Sequence, residues 1–197
     1  MGRRSDHSRA ELEALILGEG HALMASVGFA RFSAREVAKR AGYTIGTIYN
    51  VFGSYDRLVL AINTRTFTLW AEHLRAQLAG AGTDRIAALV HGYFGFARAH
   101  PHLWMAIYDH RLPPGAGIPA ADEATRAELT GIVADEIARA LGRERPEVAA
   151  LTRSLVATVH GHCHFALTGA FALMGEPDPE GVALARVRET LSAAAAG

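Results

Sequence analysis

FSAREVAKRAGYTIGTIYNVFGSYDRLVL, residues 32–60, reads as two short helices joined by a tight turn, followed by the start of a third. Ser33 is placed to cap the first helix, and Glu36 three residues on makes Ser33-x-x-Glu36 a capping-box pattern. Val37, Ala38 and Ala41 give that helix a small apolar face. Gly42 then ends it, because a residue without a side chain enters the left-handed region without strain. Thr44 is placed to cap the next helix. Ile45, Ile48, Val51 and Phe52 supply its buried stripe. Thr44, Gly46, Thr47, Tyr49 and Asn50 are left facing outward, all small or hydrogen-bonding. Such a face suits a helix that enters a DNA major groove. The same pattern also fits a plain helical hairpin inside an all-α domain.

Composition narrows the alternatives. The 197 residues are 50% hydrophobic and 20% charged, enough for a sizeable core, and formal net charge is zero. The chain as a whole is therefore not a polyelectrolyte binder. Residues 1–60 carry eight basic side chains against six acidic, a net of +2, and the remainder is faintly acidic. That distribution permits DNA contact at the N-terminal end without demanding it. The single cysteine, Cys163, rules out an intrachain disulfide and fits a cytoplasmic setting. The polar N-terminus is not expected to be a signal peptide, and no apolar run reaches the roughly 18 residues of a membrane span.

Outward from the opening stretch, Ser8 and Glu11 form a second capping-box pattern before a helix that is expected to run to about Val27. Gly18 and Gly20 each weaken it by about 1 kcal/mol relative to alanine. Arg3, Arg4 and Arg9 make either a basic arm for phosphates or an incidental part of a polar tail. A fourth helix is expected from Tyr55 to about Leu78, and Thr83 is expected to cap a fifth that stops before Pro101. A short aromatic helix, His102 to Tyr108, precedes the proline- and glycine-rich stretch LPPGAGIPA at 112–120, a lid or a connector. Three further helices are expected: Ala121 to Leu141, Pro146 to about Met174, and Pro179 to Ala195. The fold class is all-α, about nine helices, with a three-helix head at 1–54 and a helical body at 55–197.

LILGEGHALMASVGFARFSAREVAKRAGYTIGTIYNVFGSYDRLVLAI resembles the DNA-binding head of the TetR family of bacterial transcriptional repressors. The likeness rests on Ser26, Gly28 and Phe29 at the end of the first helix, on Phe32-Ser33, Val37-Ala38 and Ala41-Gly42, and on Gly46-Thr47-Ile48-Tyr49 followed by Phe52. It implies a homodimer that puts a recognition helix into each half of a palindromic double-stranded operator and is released by a small-molecule effector. It implies DNA contacts from Thr44, Gly46, Thr47, Tyr49 and Asn50, with Tyr43 and Ser33 on the backbone. Two positions depart from the family pattern. Tyr55 stands where a lysine often meets a phosphate, so the salt dependence of binding is expected to be shallower by about one unit. Asn50 replaces a histidine or another aromatic; it can bond adenine, a phosphate or only solvent.

In the body, AALVHGYFGFARAHPHLWMAIYDH and the His160-Gly161 pair resemble a TetR subgroup with a His-Gly element in its penultimate helix. This likeness implies a dimer face on the last two long helices and an effector pocket. Phe67, Trp70, Phe94, Trp104, Met105, Tyr108, His160, His164 and Phe165 are the expected lining for a largely apolar ligand, or else ordinary core. No cofactor is expected. His160, Cys163 and His164 share helical spacing and offer an alternative, a metal-responsive regulator, with His91, His100, His102 or His110 completing the set. A DNA-binding architectural protein without an effector is the other alternative. No paired carboxylates or placed nucleophile accompany the histidines, so catalysis is not expected.

Overall fold

The computed structural model describes residues 7–196. These form helices α1 (Arg9–Val27), α2 (Ala34–Ala41), α3 (Ile45–Phe52), α4 (Tyr55–Ala79) and α5 (Arg85–Ala99). They continue with α6 (Pro101–Asp109), α7 (Ala120–Leu141), α8 (Arg145–Leu167), α9 (Ala170–Met174) and α10 (Pro179–Ala196). A single 3₁₀ turn, Phe29–Arg31, separates α1 from α2, and no strand occurs among the described residues. The helix expected to reach Met174 unbroken is two pieces. Thr168 bonds back to the His164 carbonyl, Gly169 takes φ +79°, and α9 starts afresh. Arg3 and Arg4 of the suggested basic arm lie outside the described residues.

Helix starts follow local chemistry, with two corrections. At α1 the reciprocal box is complete: Glu11 N–H donates to Ser8 Oγ at 3.3 Å and Ser8 N–H to Glu11 Oε2 at 2.7 Å. At α2 only half forms. Glu36 N–H donates to Ser33 Oγ at 3.4 Å, but the Glu36 carboxylate turns to Arg40 Nε at 3.3 Å, one turn along. An opposite charge four residues away competes well with a neutral backbone amide. At α5 the cap is Asp84, not Thr83: Ala87 N–H donates to Asp84 Oδ1 at 3.1 Å.

The described residues divide into two compact units. The first extends to Thr66 and includes His102–Asp122. Its core gathers Ile16, Leu23 and Met24 of α1, Val37 of α2, Ile48 of α3, Leu58 and Ile62 of α4, and Leu103 and Ala106 of α6. Gly20 has a reason to be glycine: a Cβ there would come within 2.9 Å of Ile62 Cδ1, so the Ile62 side chain of α4 packs directly on the bare backbone of α1. Helix α6 is tied into this unit at three points. Asn63 Nδ2 donates to the Ala106 carbonyl at 3.2 Å, and His102 Nδ1 donates to the Ala25 carbonyl at 2.9 Å. Just beyond α6, His110 Nε2 meets Asp56 Oδ1 at 3.0 Å while its ring packs on Phe29.

The second unit comprises Phe67–Pro101 and the chain from Glu123 onward. Its core includes Trp70, Leu74, Phe94, Phe96, Leu155, Val159 and Val187. Buried Glu136 on α7 takes a bidentate pair from Arg85, at 2.7 and 2.8 Å, and a second pair from Arg139. Hydrogen bonding from Arg85 leads the effects that hold its carboxyl below the usual range. No helix among the described residues is long and apolar enough to cross a membrane.

Ile48 has no exposed surface. Ile48→Ala is expected to lower stability by roughly 2–5 kcal/mol, the range for deleting a buried aliphatic side chain. Denaturant unfolding measures this, and a loss well under about 1 kcal/mol would contradict the burial of α3.

Candidate nucleic-acid interface and ligand cavity

The α2–α3 turn is built by Gly42, which takes φ +78° and ψ +24°. Tyr43 N–H reaches back to the Ala38 carbonyl at 2.8 Å, so the end of α2 is closed by its own backbone. Thr44 then opens α3. Thr47 N–H donates to Thr44 Oγ1 at 3.3 Å, and the two threonine hydroxyls lie 3.2 Å apart. With Ile48 fully buried, Thr44, Gly46, Tyr49 and Asn50 are exposed and Thr47 is half-buried. The outer face of α3 is thus a contiguous neutral surface with a glycine in its first turn.

The other expected DNA residues divide. Ser33 and Tyr43 are half-buried beside the turn, and the Ser33 hydroxyl is occupied in capping α2. Tyr55 packs its ring on Phe32, with centroids 6.0 Å apart, and burial pushes its phenol above the ordinary value. It is a neutral, half-buried group that belongs in part to the head's core. The sequence reading passed over Arg35 and Lys39. Both are exposed on α2 and neither has an ion-pair partner among the described residues. Their spacing of four places them on one side of α2, a signal that net charge alone conceals.

In the second unit a partly open apolar cavity of about 40 Å³ lies among α4, α5, α7, α8 and α10. Leu74, Val90, Ile137, Leu155, Val159 and Val187 supply much of its wall, and Tyr93 is its one polar side chain. None of the nine residues expected to line an effector pocket lines this cavity. Trp104, Met105 and Tyr108 belong to the first unit. In the second, Trp70 stacks on Phe96 at 5.1 Å and meets Tyr93 edge-on at 4.8 Å. Phe67 lies under the Arg126 guanidinium, Phe94 is buried and Phe165 is 45% exposed. Aromatic rings here fill space against one another, while aliphatic side chains leave the void.

The histidines do not assemble as a metal set. The His160 and His164 rings lie 6.0 Å apart, and Tyr93 Oη is 3.0 Å from His160 Nδ1. Cys163 is fully buried, and burial pushes its thiol up to about 12. His162 Nδ1 donates to the Thr158 carbonyl of its own helix. His91 pairs with Glu180 at 2.5 Å, while His102 and His110 are engaged within the first unit. Among the described residues no three of His, Cys, Asp and Glu come together to hold a metal ion.

A capped helix–turn–helix with a neutral outer face, joined to a helical body, defines a DNA-binding protein of the helix-turn-helix class. Residues 86–190 match the family described as tetracyclin repressor-like, C-terminal domain, and residues 16–62 match the bacterial regulatory proteins of the tetR family. The chain belongs to the TetR family and is a transcriptional regulator. A protein of unknown function from Rhodococcus sp. RHA1 has a similar structure, with a TM-score of 0.70 at 20% identity and 98% of each chain covered. A TetR-family transcriptional regulator from Streptomyces coelicolor gives a TM-score of 0.66 at 20% identity, over 92% of this chain and 98% of that one. At such identities the likeness shows the fold. A comparison with curated protein sequences finds no match.

Burial, and then the neighbouring His164, hold His160 below its ordinary pKa of 6.5. As pH falls through 6.5 the unfolded chain takes up this proton first, so the folded state loses stability on the acid side. Between about pH 7 and pH 5 the melting temperature of wild type is expected to fall more steeply than that of His160→Gln. Parallel slopes in thermal unfolding would exclude this role.

Proposed function

We propose that this regulator is a repressor that binds a palindromic operator as a homodimer and leaves it when a small, largely apolar molecule enters the body. Residues 1–54 are the DNA-binding head and residues 55–197 the effector-binding and dimerisation body; a DNA target puts the protein in the cytoplasm. The observation that carries the reading is the outer face of α3. It is capped, exposed, neutral and held outward by buried Ile48 with Ile45, Val51 and Phe52 packed beside it. Arg35 and Lys39 on α2 offer phosphate contacts that set the register of α3 on the duplex. Two heads of one dimer reach half-sites about one helical turn apart, or somewhat more.

The cavity supports an apolar effector. Its walls carry no charge, and its one polar group, Tyr93, already bonds His160. At about 40 Å³ it is far below the several hundred Å³ that surround a drug-sized ligand. Binding therefore requires the surrounding helices to part, and the shape that binds ligand differs from the shape that binds operator. The ligand shifts the balance by its difference in affinity for the two shapes.

The dimer face falls on α8 and α10. Ala157, Gly161 and Phe165 form one exposed row on α8, and Phe165 and Met174 are large apolar groups left uncovered. Gly161 has open space where a Cβ would stand, so a second backbone can come close.

Two measurements test the reading. Thr47→Ala and Tyr49→Ala are each expected to weaken binding to the protein's own promoter fragment by roughly tenfold or more. Undiminished affinity in both would remove α3 from the interface. Gly161→Arg is expected to convert the dimer to monomer in sedimentation; a persistent dimer would move the interface elsewhere.

A further inference from the structure

Four of the five outward residues at α3 are exposed, and not one residue of the helix, Ile45–Phe52, is charged. This bears on which bases the helix reads. In the major groove, guanine offers two acceptors, N7 and O6, and the side chains that match both at once are arginine and lysine. Helix α3 has neither. Adenine offers an acceptor beside a donor, which asparagine or glutamine matches with its amide, and thymine adds a methyl group that takes apolar contact.

The residues of α3 fit the second pair. Asn50 is exposed and its amide makes no hydrogen bond to the rest of the described chain, so its donor and acceptor are both available. Thr44 is already engaged in capping, and its hydroxyl lies 3.2 Å from that of Thr47. What both threonines keep for the groove is above all a methyl group. Gly46, exposed between them with only Thr44 Oγ1 near the position of a Cβ, lets the backbone approach a base-pair edge closely.

Resting on the assignment of α3 as the DNA-reading helix, we propose that the base pairs it contacts are A·T pairs, with Asn50 on an adenine and the Thr44 and Thr47 methyls on thymines. None of the basic side chains of the head lies on α3; Arg35 and Lys39, exposed on α2, act on phosphates or outside the α3 positions. The operator half-site is then A·T-rich in its α3-read segment whatever its flanks contain.

Selection of duplexes from a randomised library by the full-length protein tests this, run in parallel with Asn50→Ala, Thr47→Ala and Asn50→Arg. Thermal unfolding shows whether each exposed-site variant is folded. Wild type is expected to enrich a half-site in which the positions relaxed by Asn50→Ala and Thr47→Ala are A·T. Asn50→Ala is expected to reduce the preference at one position by roughly tenfold, and Asn50→Arg to move that position toward G·C. If the relaxed positions are G·C in the wild-type site, the inference is wrong although α3 still reads DNA. If the variants relax no position while wild type enriches a site, α3 is not the reading helix and both conclusions fall. An enriched site that Asn50→Arg leaves unchanged removes Asn50 from base contact and overturns its assignment to adenine.

Discussion

Ile48 is the one fully buried residue of an eight-residue helix. A helix so short has little stability of its own and is held by its tertiary contacts. Ile48, with Ile45, Val51 and Phe52 packed partly buried beside it, fixes the rotation of α3 about its axis. That rotation decides which residues are exposed, and so which can touch a partner. Gly42 sets the angle of entry, and Thr44 satisfies the first amides without using a charge. The chemistry of the outer face thus depends on a packing contact on the opposite side.

The first unit includes more than its helix-turn-helix. Helix α6, some fifty residues further along the chain, contributes Leu103 and Ala106 to the same core. It is also joined by polar contacts, of which those from His102 and Asn63 end on backbone carbonyls. Backbone acceptors do not move with side-chain rotamers, so these contacts fix where α6 lies against α1 and α4. In the second unit a comparable role falls to Glu136. One buried carboxylate gathers Arg85 and Arg139 from two helices and stays ionised because of them. Removing it would leave two guanidinium groups without their shared partner.

Much of the fold was legible in the sequence because helix boundaries are written in local chemistry. Ser8, Thr44, Gly28 and Gly42 mark ends that depend on residues within one turn. The misses arose where two local signals competed. Glu36 had both Ser33 and Arg40 in reach, and Thr83 stood next to Asp84, the better acceptor. Gly169 looked like a residue inside a long helix, since nothing in its neighbours announces a left-handed turn. The outer face of α3 could be read from periodicity, because exposure on a short helix follows from spacing. The cavity could not. Its lining comes from five helices, and whether a valine fills or borders a void depends on the positions of all of them. Aromatic residues were the natural sequence choice for a pocket, yet Trp70 and Phe96 stack on each other and close the space.

Cys163 has one further consequence. Its thiol is wholly enclosed and held in the protonated form at any ordinary pH. A thiol reagent attacks only the thiolate and only when it can reach it. Alkylation must therefore wait for the body to open around α8. The rate at which this single sulfur is modified becomes a clock for the opening of the body, present in the natural chain and needing no introduced label.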